Sequence, residues 1–171
     1  MSKKNASHPK KPGPPRGLDR IDRRILECLQ QDGRMSNVAL ARKVNLTPTP
    51  CLERVRRLER EGYIRGYTAL LDPRKVGAGL LVFVEITLAR TSPDVFREFR
   101  AGASALPEVL DCHLVSGNFD YLIKARVRDM REYRELLGER LLSLPGVNGS
   151  RSYVVMEEVK ETLSLPLGGR D

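Results

Sequence analysis

The chain has 171 residues, 40% of them hydrophobic and 30% charged, which is enough apolar content for one large core or two small ones. The greasiest run, "GLLVFVEITL", is broken at Glu85 and falls well short of the roughly 18 apolar residues of a membrane span. The N-terminal lysines have no apolar segment behind them, so no secretory signal is read and a cytoplasmic protein is expected.

Net charge is +8, and its placement is more informative than its size. Residues 1–17 carry five basic and no acidic side chains, residues 18–66 carry 11 against 7, and residues 67–171 carry 14 against 15. The whole basic excess therefore lies in the first 66 residues, which points to a polyanion partner for that part. Cys28, Cys51 and Cys112 form no CxxC pair and share no ligand spacing with His8 or His113. Neither a disulfide framework nor a metal or cofactor site is expected.

In chain order, "MSKKNASHPKKPGPPRG" (1–17) is a basic arm too poor in apolar residues to fold. Leu18, Ile21, Ile25, Leu26 and Leu29 then recur at helical spacing, giving helix one over about 19–32, with Asp19 as N-cap and Gly33 as a left-handed stop. Ser36 caps a short helix two over about 37–44, with Val38, Ala41 and Val44 facing inward. Asn45 takes a positive φ in the turn, and Thr47 caps helix three.

Two prolines open that third helix. With Thr47 as N-cap, Pro48 is N1 and Pro50 is N3, positions whose N–H groups have no intrahelical acceptor, so the first turn is stiffened at no loss of hydrogen bonding. Leu52, Val55 and Leu58 are read as the inner stripe, leaving Arg54, Arg57 and Glu61 outward with Arg56 and Arg60 flanking. Three helices in some 45 residues make a helix-turn-helix domain over 18–65. Gly62 closes helix three, and 66–79 is a linker strand and hinge in which Tyr67, Ala69 and Leu71 alternate.

From Leu80 the pattern changes type. "LLVFVEITL", "EVLDCHLVS", "FDYLIKARV" and "SRSYVVMEEV" read as strands. "SPDVFREFRAGASAL" reads as a helix capped by Ser92, and "DMREYRELLGERLLSL" as one opened by an Asp129–Glu132 capping box. The order is βαββαβ over 80–160, followed by a tail over 161–171. The fold class is α+β: an N-terminal helix-turn-helix, winged-helix-like domain and a C-terminal ferredoxin-like domain. The first strand is apolar on both faces, so its second cover is expected to come from another copy in an obligate homodimer.

A helix-turn-helix places the start of its second helix in the major groove. Thr47, Thr49, Pro50 and Cys51 would then meet base edges and thymine methyls of double-stranded DNA, Arg54 and Arg57 would reach guanine or phosphate, and Ser36 and Asn37 would hold phosphates. With no Asn or Gln at the tip, readout leans on DNA shape. An enzyme on the second domain would need Asp111, Cys112 and His113 to converge, yet neighbouring strand residues point to opposite faces, so no catalysis is expected.

"LDRIDRRILECLQQDGR", "TPTPCLERVRRLEREGYIRGYTALLD", "LLVFVEITL", "CHLVSGNFDYLIKARV" and "LPGVNGSRSYVVMEEVK" together resemble the Lrp/AsnC family of bacterial transcriptional regulators, over about residues 17–161. The resemblance implies a C-terminal regulation-of-amino-acid-metabolism (RAM) domain, dimers that assemble to octamers or larger, an amino-acid effector such as leucine, and a cytoplasmic, nucleoid-associated regulator. It implies an effector-response set of Leu114, Gly117, Asn118, Asp120, Met130, Ser152, Tyr153, Val154 and Val155. Asn45 stands where the family often has glycine, and Asn118 replaces an acidic residue of the family's pattern. In that set Asp120 would pair with an α-ammonium, the Gly117 and Asn118 N–H groups would take a carboxylate, and Leu114 or Met130 would hold an aliphatic side chain. The competing expectation is a plain hairpin turn capped by Asp120, in an architectural DNA-bending protein without effector.

Overall fold

A computed structural model describes residues 17–90 and 92–168; the expected basic arm lies, but for Gly17, outside the described residues. The described residues form two compact units, residues 17–69 with 162–168, and residues 70–90 with 92–161.

The first unit holds α1 (Arg20–Gln31), α2 (Asn37–Lys43) and α3 (Pro48–Arg60). Asp19 caps α1 through a reciprocal box with Asp22, each carboxylate accepting the other residue's N–H. Gly33 does not adopt the expected left-handed conformation: α1 ends at an extended Asp32, whose N–H donates to the Cys28 carbonyl and whose carboxylate accepts the Arg34 N–H. Ser36 caps α2 by accepting the Ala39 N–H. The inner face of α2 is Leu40 and Ala41 with Val44 just beyond it, whereas Val38, expected inside, is 49% exposed. Asn45 does sit in the left-handed region, at φ 56°.

On α3 the inner stripe keeps the expected Val55 and Leu58 but takes Cys51 in place of Leu52. Cys51 and Leu58 are fully buried with Val55 packed beside them, and Leu52 is only half-buried. Ile25, Leu26 and Cys28 of α1 and Leu40, Ala41 and Val44 close this core. Gly62, at φ 78°, ends the helix and lets the Ile64 N–H reach back to the Leu58 carbonyl. The expected linker strand at 66–71 pairs with no strand among the described residues.

The second unit is β1 (Leu80–Leu88), α4 (Pro93–Ser104), β2 (Val109–Leu114), β3 (Tyr121–Val127), α5 (Met130–Glu135) and β4 (Val147–Val154), with sheet order β2-β3-β1-β4 and every pair antiparallel. Ser92 and Asp129 cap α4 and α5, but the expected Asp129–Glu132 box is one-sided: Asp129 accepts the Arg131 and Glu132 N–H groups, while the Glu132 carboxylate accepts the N–H of Arg128 and not that of Asp129. Beyond α5 the chain widens into π-helical turns over Leu136–Leu141, so the helix is not regular throughout. Val82, Val84, Ile86 and Leu88 of β1 face Phe99 and Ala103 of α4 and Tyr133, Leu136 and Leu141, placing both helices on one side of the sheet. On the other side Leu81 is buried, while Phe83 and Glu85 are half-buried. Arg126 of β3, 7% exposed, is held there by Glu158 and Glu161 of the segment that follows β4.

Candidate DNA interface and effector site

The tip of α3 is built as its prolines demand. Thr47 has extended φ and ψ of −77° and 158°, its side chain makes no capping bond, and Pro48 occupies the first helical position. Asn37 Nδ2 donates to the Pro48 carbonyl at 2.8 Å, locking the first turn of α3 onto the start of α2. Thr47, Pro48 and Thr49 are exposed and Pro50 is half-buried, a rigid, uncharged prow.

Three of the expected contact residues are not available on that surface. Cys51 is fully buried in the helical core, where desolvation pushes its thiol pKa up. Arg54 and Arg57, read as pointing away from helix one, reach back to it instead. Arg54 Nη1 lies 2.6 Å from Asp19 Oδ2 and 2.7 Å from Asp22 Oδ1, and Arg57 Nη2 lies 2.5 Å from Asp22 Oδ2. Asp22 is 1% exposed, so this is a charge cluster clamping α3 to α1. Hydrogen bonds to Asp19 and Asp22 raise the Arg54 pKa, and the bond to Asp22 raises that of Arg57. At Asp19 burial works to raise the carboxyl pKa, but the Asp22 N–H and the Arg54 guanidinium prevail and hold it below its ordinary value.

The exchange of Leu52 for Cys51 explains the reversal. Because Cys51 is small enough to enter the core, position 54, three residues on, turns toward α1. The outer face then carries Thr49, Glu53, Arg56 and Arg60, all exposed, and the two arginines form no ion pair among the described residues. The sequence signal for this was the Asp19–Asp22 spacing of three on α1 matching the Arg54–Arg57 spacing on α3.

In the second unit the structure divides the expected effector residues. Leu114, Gly117, Asn118 and Asp120 lie at the β2–β3 hairpin, level with Ile86–Leu88 of β1. Val154, Val155 and Met130 lie at the other end, level with Leu80–Val82. Six strand residues, or about 20 Å, separate the two ends, so the groups do not converge within one chain. Both expose apolar surface: Leu114 is 59% and Met130 48% exposed. Asp120 Oδ2 accepts the Leu88 N–H at 2.7 Å, tying the hairpin to β1, and the Ser152 hydroxyl is hydrogen-bonded to the buried Tyr133 hydroxyl. Cys112 packs against the sheet core while His113 is exposed, the alternation expected of neighbours on a strand.

A winged helix-turn-helix DNA-binding family matches residues 18–65, and the Lrp/AsnC ligand binding domain matches residues 81–165. The leucine-responsive regulatory proteins of Salmonella typhimurium and Escherichia coli are each 63% identical over 161 residues, covering 94% of this chain and 97% of theirs. Among solved structures, a Neisseria meningitidis transcriptional regulator in complex with L-Met superposes with a TM-score of 0.85 at 41% identity, over 88% of this chain and 97% of that one. With both halves of its architecture and nearly its whole length matched, the chain belongs to the Lrp/AsnC family of transcriptional regulators.

Proposed function

We propose that this chain binds double-stranded DNA through α3 and that a small amino acid, leucine or an aliphatic one of similar size, sets its DNA affinity or its assembly. The DNA-contacting set in this reading is Thr47, Thr49 and Pro50 at the tip, Arg56 and Arg60 on the outer face, and Ser36 and Asn37 at the start of α2. Arg54, Arg57 and Cys51 hold the helix in place from behind.

The observation that carries the effector reading is the division of its residues between two ends of the sheet. A pocket using both groups is completed only when the hairpin end of one copy meets the Met130–Val155 end of another, so ligand and assembly are coupled by construction. Asp120 has one carboxylate oxygen on Leu88 N–H and a second for an α-ammonium, with Leu114 and Met130 as apolar walls. The close relatives carry leucine response in their names and a structural relative holds L-Met, which supports the ligand class. Homodimers that build octamers or larger rings are the assembly this reading favours, in a cytoplasmic, nucleoid-associated protein without catalytic activity.

The test is light scattering and DNA affinity measured with and without leucine or methionine. A coupling of about 1–3 kcal/mol changes DNA affinity about 5–150-fold. No change in size or affinity with any of the common amino acids refutes the effector reading. The Asp120–Leu88 bond also favours a second reading, an architectural DNA-bending protein with a purely structural hairpin; calorimetry with leucine separates the two.

A further inference from the structure

The outer face of α1 is occupied by residues from the far end of the chain. Gln30 Nε2 donates to the Leu165 carbonyl at 3.1 Å and Gln30 Oε1 accepts the Leu165 N–H at 2.6 Å, so one side-chain amide satisfies both backbone groups of one residue. Two turns earlier, Arg23 Nη1 is 3.4 Å from both the Leu167 and the Gly168 carbonyls. Between these anchors Leu167 is half-buried, packed against the helical core, and it lines a groove of about 920 Å³ with Arg23, Glu27 and Val44.

The spacings agree. Arg23 and Gln30 lie seven residues apart on one helix face, about 10 Å along its axis. Leu165 to Gly168 in an extended chain spans about the same distance. Pro166 helps this match: its ring fixes its own φ, biases Leu165 toward extended backbone and leaves no N–H to satisfy. The segment is therefore partly ordered before it docks.

We propose that residues 162–168 are a strap whose receptor is the Arg23–Glu27–Gln30 face of α1, so that the DNA-binding unit is assembled from both ends of the chain. The chain leaves that unit after Ala69 and returns at Thr162. Asp22, on a different side of α1, takes the arginines of α3, so the strap leaves the exposed face of α3 free. Just upstream of the strap, within the second unit, Glu161 pairs with Lys124 and Arg126 of β3.

Hydrogen exchange on the full chain tests the strap independently of any effector or DNA. The Leu165 N–H should exchange at least about tenfold more slowly than in an unstructured peptide. Gln30→Ala and Leu167→Asp, on opposite sides of the contact, should each remove that protection and speed exchange in the second half of α1. A wild-type Leu165 N–H exchanging at the free-peptide rate, or rates that neither substitution moves, overturns the proposal.

Discussion

Replacing Asp22 by asparagine keeps the volume at the α1–α3 contact and one acceptor oxygen, but removes the charge that two arginines share. The carboxylate is 1% exposed and lies 2.7 Å from Arg54 and 2.5 Å from Arg57. In the variant an amide NH2 faces at least one guanidinium, donor against donor. Breaking a buried pair by removing one partner costs about 3–5 kcal/mol. Here the cost falls to the floor of that range or below it, because Arg54 is 30% and Arg57 18% exposed and each keeps a second carboxylate, Asp19 and Glu61 respectively. A loss of about 2–3 kcal/mol is a large fraction of the roughly 3–9 kcal/mol that stabilises a unit of this size. Native-state hydrogen exchange at the Ile25 and Leu26 amides reads it directly, since 2 kcal/mol is about a 30-fold faster opening. A change below about 0.5 kcal/mol would mean that the cluster is an ordinary solvated ion pair, and the clamp argument would fail.

Other consequences are as specific. Gly146 sits at φ 80° with the Val95 side chain where a Cβ would go, so Gly146→Ala should destabilise the C-terminal unit by about 2–4 kcal/mol in thermal unfolding; an unchanged melting curve contradicts the packing described. At Asn45, whose φ is 56°, Asn45→Ala should cost about 1 kcal/mol while Asn45→Gly is neutral or stabilising, and equal effects of the two would contradict the left-handed turn. Asp19 is held below its ordinary pKa, so its contribution is present above the unfolded value near 4 and is lost as pH falls through the folded value. The melting-temperature gap between wild type and Asp19→Asn should therefore be open at pH 6 and close in acid; a gap that persists at about pH 2 would show that charge is not the cause.

Much of the fold was legible because local chemistry and global topology agree. Asp19, Ser36, Ser92 and Asp129 stand as N-caps where the helical periodicity begins, and Pro48 confirms itself at a position that only a helix start tolerates. The βαββαβ order followed from the switch between two-residue and 3.6-residue periods. What misled was the assumption that apolar residues alone define an inner face. Leu52 lost its place to the smaller Cys51, Val38 lost its place to Leu40, and the arginines beside them turned inward because Asp19 and Asp22 were there to receive them. Hydrophobic periodicity does not report side-chain ion pairs between helices; only the matched three-residue spacings of Asp19–Asp22 and Arg54–Arg57 signalled them. The expected effector set came only from family resemblance, and its division along the sheet is a property of strand register that sequence spacing does not carry. The tail looked featureless for a related reason: its partner, Gln30, lies 135 residues away.

On α3, Arg54 and Arg57 hold the helix against α1, and the proposed function assigns Arg56 and Arg60 to DNA phosphates. The salt dependence of DNA affinity for Arg56→Ala/Arg60→Ala against wild type tests it most directly. If a dimer neutralises about six phosphates, log affinity should fall with log salt at a slope near −5, and losing two contacts in each protomer should bring that slope to about −2. Unfolding of the double variant should stay within about 0.5 kcal/mol of wild type. A wild-type slope retained in full by the double variant would show that the outer face of α3 does not lie against DNA.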